Sequence, residues 1–164
     1  MWPWALVVAM VLLSGCGTAD LKAQADQAAI NKEVLQAFLG MFMSGTWDDF
    51  DQVIAADCVL HEPGGTDIVG LDAMKALWQV AYAGLKNMNA ETLTLTSEGE
   101  NLMGLYAMEA IYEGEYIGQQ ISGVPVRFNQ AETMRIVDGK IVEWWVVFDQ
   151  LWMSQQLGFE LQPK

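Results

Sequence analysis

The C-terminal third of the chain could place a carboxylate in an apolar pocket. Two apolar segments flank Asp138-Gly139, a pair typical of a two-residue β-hairpin turn. The second segment is apolar almost throughout and ends in Asp149. A carboxylate that loses hydration in an apolar cavity has a raised pKa and can act as a general acid or base near neutral pH. The alternative is that Asp149 caps a short helix predicted directly after it.

More polar groups are predicted on the same face of this hairpin. If the strands pair without a bulge, Glu132 lies opposite Trp145 and every second residue shares its face. That face would carry Gln130, Glu132, Met134, Glu143, Trp145, Val147 and Asp149. Asp149 is therefore a candidate catalytic residue, and Gln130, Glu132, Glu143 and Trp145 are candidate substrate-binding residues. A bulge of one residue would reverse the faces.

The only histidine of the chain, His61, is a second candidate catalytic residue. It ends a short predicted strand and precedes the turn-forming segment Glu62-Pro63-Gly64-Gly65. In such a position it could orient a substrate oxygen or transfer a proton, although a structural or solvated histidine is the alternative. His61 and Glu62 lack further ligands at suitable spacing, so no metal is predicted. No nucleotide-binding or hydrolase motif is found, and we expect no cofactor.

Three helices are predicted to precede the strands. Apolar residues recur every four positions from Ile30 to Phe42, a short second helix begins at Thr46, and a third spans Leu71 to Leu85. From residue 90 onward the pattern indicates strands, with a loop over residues 114–123. Trp78 in the third helix and Tyr112 in a long strand are further candidate substrate-binding residues. Helices followed by about four antiparallel strands indicate an α+β domain.

The order of these motifs resembles the SnoaL-like polyketide cyclase, or ester cyclase, family of the nuclear transport factor 2-like fold group. The resemblance covers residues 27–158 and rests on His61-Glu62-Pro63, the third helix, Glu98-Gly99-Glu100, a Gly-rich loop, the hairpin and Gln156-Leu157-Gly158. It implies a cone-shaped curved antiparallel sheet, covered by about three N-terminal helices, around an internal cavity. It also implies that Asp149 is the general acid/base of a ring-closing aldol addition without cofactor or metal.

The N-terminus resembles a bacterial lipoprotein signal peptide. Residues 4–13 form an apolar run that is too short to span a bilayer, and Leu13-Ser14-Gly15-Cys16 resembles a lipobox. We predict a signal peptide over residues 1–16 with lipidation of Cys16, a tether over 17–26 and a domain over 27–164. The protein would then be lipid-anchored in the bacterial cell envelope, at the outer membrane or cell surface, with its domain on the periplasmic side. Because no Lys or Arg precedes the apolar run, an unprocessed apolar N-terminus is the alternative.

The composition limits the partners of the domain. With 8 Lys and Arg against 21 Asp and Glu, the formal net charge is −13, which disfavours nucleic acid and anionic membrane surfaces. Cys58 lies in an apolar segment and is expected to be a buried small side chain rather than a nucleophile. Three functions stay open: an acid/base enzyme of the cyclase, isomerase or hydrolase type, a binding module for a small apolar molecule, and a homodimerisation module that uses Trp144 and Val146 on an outward face.

Overall fold

The computed structural model describes residues 16–160 of the chain. Its helices are α1 (Cys16–Ser44), a short 3₁₀ helix (Trp47–Gln52), α2 (Leu71–Ala81) and α3 (Gln150–Gln156). Its strands are β1 (Ile54–His61), β2 (Asp67–Val69), β3 (Leu85–Glu98), β4 (Asn101–Tyr116), β5 (Gln119–Val137) and β6 (Lys140–Phe148). The predicted α+β class is therefore confirmed, and helices precede most of the strands.

The six strands form one curved, unclosed sheet in the order β2-β1-β6-β5-β4-β3. The long strands β3 to β6 pair antiparallel, as predicted. However, β1 runs parallel to β6, so the sheet is mixed and not purely antiparallel. This pairing places β1 between the short edge strand β2 and the C-terminal hairpin.

Helices α1 and α2 cover one face of the sheet through aromatic contacts. The rings of Phe38 on α1 and Trp144 on β6 meet edge to face with centroids 4.9 Å apart. Trp78 on α2 lies 5.5 Å from the same tryptophan. Buried aromatic pairs of this kind stabilise a core beyond their area alone. The face that carries Trp144 is thus the inner face, and we call the opposite face the outer face.

The hairpin contains the expected turn and a bulge that the sequence did not reveal. Asp138 and Gly139 both have positive φ, at 50° and 74°, as a two-residue turn requires. Beyond the turn, Ile136 pairs with Ile141, whereas Arg135 pairs with Glu143, so Val142 is an extra residue without a partner. The bulge reverses the faces of the rest of β6.

This reversal corrects one predicted pairing in the hairpin and the predicted faces of four residues. Glu132 pairs with Val146 rather than Trp145. Trp144 and Val146, predicted to face outward, are buried on the inner face. Glu143 and Trp145, predicted to face the cavity with Glu132, lie on the outer face instead.

Two segments are more regular than predicted. Helix α1 begins at Cys16, so the segment 17–26, predicted as a tether, is helical, and residues 19–26 are exposed. Asn31 joins this helix to the β3–β4 turn by donating to Ser97 Oγ and to the Gly99 carbonyl, both at 2.9 Å. Strands β4 and β5 also continue through most of the predicted loop 114–123, leaving a tight turn at Ile117-Gly118.

The prediction of a signal peptide and the prediction for Cys58 have different outcomes. Residues 1–15 of the predicted signal peptide lie outside the described residues. Among residues 16–160, no helix combines the length and the apolar character that crossing a membrane requires. Cys58 is fully buried, as predicted, and burial raises the pKa of its thiol to about 12.

Candidate active site

Two adjoining cavities lie between the helices and the inner face of the sheet. The smaller has a volume of about 40 Å³ and contains the buried side chains of Glu132 and Tyr106 in its wall; we call it the inner chamber. The larger has a volume of about 250 Å³ and extends to the exposed side chain of Val80; we call it the outer chamber. The two chambers share five lining residues: Glu62, Trp78, Tyr82, Gln130 and Val146.

Strand β5 carries Glu132 into the inner chamber. The strand alternates buried and exposed side chains here, and Glu132 is only 6% exposed. Its Oε2 accepts a hydrogen bond from Trp144 Nε1 at 3.1 Å and a longer one from Gln130 Nε2 at 3.4 Å. These donors come from the neighbouring strand and from two residues earlier on the same strand. The carboxyl group is therefore held in position but has no cationic partner among residues 16–160.

Burial raises the pKa of Glu132 to about 7. Loss of hydration is the largest cause, because a buried carboxylate cannot be stabilised by water. Tyr106, Gln130 and Trp144 oppose this shift by stabilising the charged form. Glu132 can therefore both accept and release a proton near neutral pH, which is what general acid/base catalysis requires.

A glycine on β4 gives Tyr106 its position beside this carboxyl. Gly104 pairs with Glu132 across the strands, and a Cβ atom at Gly104 would lie only 2.2 Å from the Tyr106 hydroxyl oxygen. The ring of Tyr106 thus occupies the space above Gly104. Its hydroxyl is near enough to Glu132 to stabilise the charged form, but it makes no well-aligned hydrogen bond with any described residue. A buried hydroxyl of this kind can donate to a bound ligand.

Glu62 and Tyr82 extend the polar part of the cavity into the outer chamber. Partial burial raises the pKa of Glu62. Burial, followed by the charges of Glu62 and Glu132, raises the pKa of Tyr82 above its ordinary value. The hydroxyl of Tyr82 therefore stays protonated and lies within the field of both carboxyl groups. It can serve as a second hydrogen-bond donor to a ligand.

Four of the predicted substrate-binding residues line the chambers. Gln130 and Trp78 line both, Glu132 lines the inner one, and Tyr112 lines the outer one. Alternation along β5 and the helical period of α2 were sufficient to place three of them. These residues come from three different elements, so the fold brings together side chains that are distant in sequence.

The structure places Asp149 outside the cavity. Its Oδ1 accepts a hydrogen bond from the backbone N–H of Trp152 at 2.9 Å, which makes it the N-cap of α3. The side chain is exposed and lines neither chamber. The predicted position of Asp149 beside Gln130 is therefore wrong, because the bulge shifts the register and α3 begins directly after the strand. The alternative that it caps a helix is confirmed.

His61, Glu143 and Trp145 form a cluster on the outer face. His61 Nδ1 lies 2.8 Å from Asp67 Oδ1, and Nε2 lies 3.3 Å from Glu143 Oε1. The imidazole stacks on Trp145 with centroids 4.8 Å apart. The hydrogen bond to Asp67 is the largest cause that raises the pKa of His61, and the bond to His61 is the largest cause that lowers the pKa of Glu143. None of the three predicted site residues lines either chamber.

Sequence reasoning missed Glu62, Tyr82 and Tyr106. A signal for Tyr106 was available, because it lies six residues before Tyr112 on β4 and so shares its face. In the sequence, Glu62 is conspicuous only as the neighbour of His61. Tyr82 lies beyond the last turn of α2, where no periodic pattern identifies it. Among residues 16–160, no three His, Cys, Asp or Glu side chains converge as a ligand set for a metal ion.

Comparisons with known proteins agree with the observed fold. Residues 32–157 match the model of the SnoaL-like polyketide cyclase family. The structure is similar to IdmH from Streptomyces antibioticus, a candidate polyketide cyclase, with 25% identity, a TM-score of 0.70, and coverage of 78% of this chain and 98% of that one. It is also similar to a candidate SnoaL-like polyketide cyclase from Jannaschia sp. CCS1, with 16% identity, a TM-score of 0.74, and coverage of 81% and 94%. No curated protein matches significantly. The chain belongs to the SnoaL-like polyketide cyclase family.

Proposed function

We propose that the protein is a cofactor-independent acid/base enzyme of the cyclase or isomerase type that acts on a small apolar carbonyl compound. The observation that carries this proposal is the carboxyl group of Glu132, which is 6% exposed, has a pKa of about 7 and lines an apolar cavity. Family membership supports the reaction class. The choice of Glu132 as acid/base, in place of Asp149, rests on where the two side chains lie.

The residues of the inner chamber support a proton-transfer cycle. Ionised Glu132 would remove a proton from the carbon next to a substrate carbonyl, and the hydroxyl of Tyr106 would donate a hydrogen bond to the resulting enolate oxygen. The enolate carbon would then attack a second carbonyl carbon of the same molecule and form a carbon–carbon bond. Glu132 would return its proton to the new alkoxide oxygen. Substrate and product are isomers, so no co-reactant is needed.

The sizes of the chambers support a division of roles. The inner chamber, at about 40 Å³, holds only a few ligand atoms next to Glu132. The outer chamber, at about 250 Å³, can enclose a larger apolar body between α2 and the sheet. Tyr112 and Trp78 in its wall would bind that body. The reacting carbonyl group would therefore enter first, with the rest of the molecule behind it.

The test compares wild type with two variants that remove different carboxyl groups. Purified protein is incubated with a metabolite extract, and isomers are resolved by chromatography before mass measurement. We expect wild type and Asp149→Asn to convert one compound into an isomer of equal mass, and Glu132→Gln to lose this activity. Equal turnover by wild type and Glu132→Gln would refute the assignment. Retention of an unaltered ligand by all three proteins would favour the alternative, a binding module without catalysis.

We also propose that the protein is lipid-anchored in the bacterial cell envelope. The lipobox-like residues 13–16 support this, and the exposed first turns of α1 would separate the domain from the membrane surface. The test is the mass of the N-terminal peptide from the membrane fraction. A diacylated Cys16 at the new N-terminus would support the anchor. An unmodified peptide that contains residues 1–15 would refute it.

Homodimerisation is a further proposal, although through other residues than predicted. Trp144 and Val146 are buried on the inner face, whereas Val147 on the outer face is 64% exposed and Trp145 is 38% exposed. Exposed apolar side chains on a sheet face favour association. Sedimentation equilibrium of wild type and Val147→Glu tests this. A monomeric wild type, or an unchanged dimer of the variant, would contradict the use of this face.

A further inference from the structure

The charges in the cavity wall have one sign. Glu62 and Glu132 are the charged side chains of the described lining, and neither chamber is lined by Lys, Arg or His among residues 16–160. A ligand carboxylate placed there would lose its hydration without gaining a positive partner. The cavity is therefore unsuited to an anionic ligand. It can accept either a neutral ligand or a cation.

Glu62 has the properties of a counter-ion for a bound positive group. It is half-buried at the junction of the two chambers, and its carboxylate makes no side-chain hydrogen bond or ion pair with any described residue. Its backbone is held in place, because its N–H donates to the Thr66 carbonyl and its carbonyl accepts from Gly65, both at 3.2 Å. A carboxylate without a partner, on a backbone held in place and in contact with a cavity, is a suitable site for a positive group.

The walls of the outer chamber would favour a cation with an apolar body. Six aromatic side chains line it: Trp78, Tyr82, Tyr112, Tyr116, Phe128 and Phe148. The hydroxyls of Tyr112 and Tyr116 are engaged with the Glu115 carbonyl and Ser154 Oγ, at 2.9 and 2.7 Å. These two rings therefore offer mainly aromatic surface to a ligand. Aromatic faces attract ammonium groups as well as apolar groups.

We infer that the cavity takes an organic cation, an ammonium group on an apolar body, with Glu62 as its counter-ion. The inference rests on the proposed function, because both concern the same cavity. It narrows the proposed substrate class to carbonyl compounds that also carry an amine. An ammonium group beside Glu62 would also reduce the repulsion between the two carboxylates. The net charge of −13 would raise the local concentration of cations and the rate of association.

The test uses three probes of similar size and different charge. Benzylammonium, benzyl alcohol and benzoate are titrated into the purified protein by calorimetry at about pH 8, where benzylamine remains largely protonated. We expect benzylammonium to bind about tenfold more tightly than benzyl alcohol. We expect no measurable binding of benzoate. None of the probes has an enolisable carbonyl, so the outcome does not depend on turnover.

Variants locate the source of the charge preference. Glu62→Gln should remove most of the preference for benzylammonium over benzyl alcohol, while Glu62→Asp should retain most of it. Glu113→Gln, which removes the same charge from an exposed position on β4 that lines neither chamber, should leave it unchanged. Equal affinities for the amine and the alcohol in wild type would overturn the inference. An unchanged preference in Glu62→Gln, or no binding of any probe, would also overturn the inference. These results would not refute the proposed acid/base activity, which the turnover of Glu132→Gln tests separately.

Discussion

Trp144 donates its indole N–H to the carboxyl group of Glu132 over 3.1 Å, from one buried side chain on β6 to another on β5. The two residues are twelve positions apart in sequence and lie on the same inner face only because Val142 forms a bulge. A hydrogen bond to the charged form of a carboxyl group lowers its pKa. Trp144 therefore acts with Tyr106 and Gln130 to lower the pKa of Glu132 against the effect of burial.

Replacing this donor should raise the pKa of Glu132. In Trp144→Phe the carboxylate loses its shortest hydrogen bond, and we expect the pKa to rise by roughly one pKa unit. A carbon-13 NMR titration of the glutamate side-chain carboxyl measures it directly. Trp145→Phe is the matched control, because it changes the adjacent tryptophan on the outer face. Equal pKa values in the two variants would contradict the role assigned to Trp144.

The buried carboxyl should also make stability depend on pH. The pKa of Glu132 is about 7 in the folded state against an ordinary value of 4.5. Between these values the folded protein holds a proton that the unfolded chain has released, so stability falls as pH rises. The loss at pH 8 relative to pH 4 is on the order of 3 kcal/mol.

Glu132→Gln should remove the contribution of Glu132 to this dependence, since an amide does not titrate, and should leave that of half-buried Glu62, whose pKa burial also raises. Urea unfolding at several pH values measures the difference between wild type and the variant. Glu98→Gln, at the exposed C-terminal end of β3, is the control and should keep the wild-type slope. A slope of the same size in Glu132→Gln and wild type would show that another group causes the dependence.

The sequence was sufficient to predict the class of fold and the positions of half of the site residues. Local patterns determine helices, the Asp138-Gly139 turn and the alternation along β5, so Gln130, Glu132, Trp78 and Tyr112 were placed correctly. The bulge at Val142 has no local signal, because it depends on how two strands pack against the rest of the sheet. One unpaired residue therefore reversed the faces of β6. The parallel pairing of β1 with β6 is likewise a long-range contact that no local pattern encodes.

A methyl group at Gly104 should displace Tyr106. The Cβ of Gly104→Ala would lie 2.2 Å from the tyrosine hydroxyl, which is too short for any contact, so the ring must move. We expect a loss of roughly 1–3 kcal/mol in the free energy of unfolding. We also expect a higher pKa of Glu132, because a donor near it moves away. Gly40→Ala, a helical position with open space around it, should be neutral or slightly stabilising. An unchanged pKa of Glu132 in Gly104→Ala would show that Tyr106 does not influence the acid/base group.

The histidine cluster on the outer face should respond to loss of Asp67. The hydrogen bond between His61 Nδ1 and Asp67 Oδ1 raises the pKa of His61, so its stabilising effect is present at low pH and is lost as pH rises through the folded-state pKa. Asp67→Asn should lower the pKa of His61, which proton NMR of the imidazole measures. Asp72→Asn on α2 is the control. Turnover should be unaffected, since His61 lines neither chamber.

Asp149 provides the clearest contrast between a structural and a catalytic carboxylate. Its side chain accepts from Trp152 N–H at the start of α3, and an asparagine side chain can accept the same hydrogen bond. We therefore expect Asp149→Asn to keep wild-type stability, while Asp149→Ala loses about 0.5–2 kcal/mol. Thermal and urea unfolding measure both. If Asp149 were the acid/base that the family resemblance implies, both substitutions would abolish turnover equally, regardless of stability. Turnover that is retained in Asp149→Asn but lost in Glu132→Gln would assign the proton transfer to the buried carboxyl of Glu132, which is excluded from water and has a pKa of about 7.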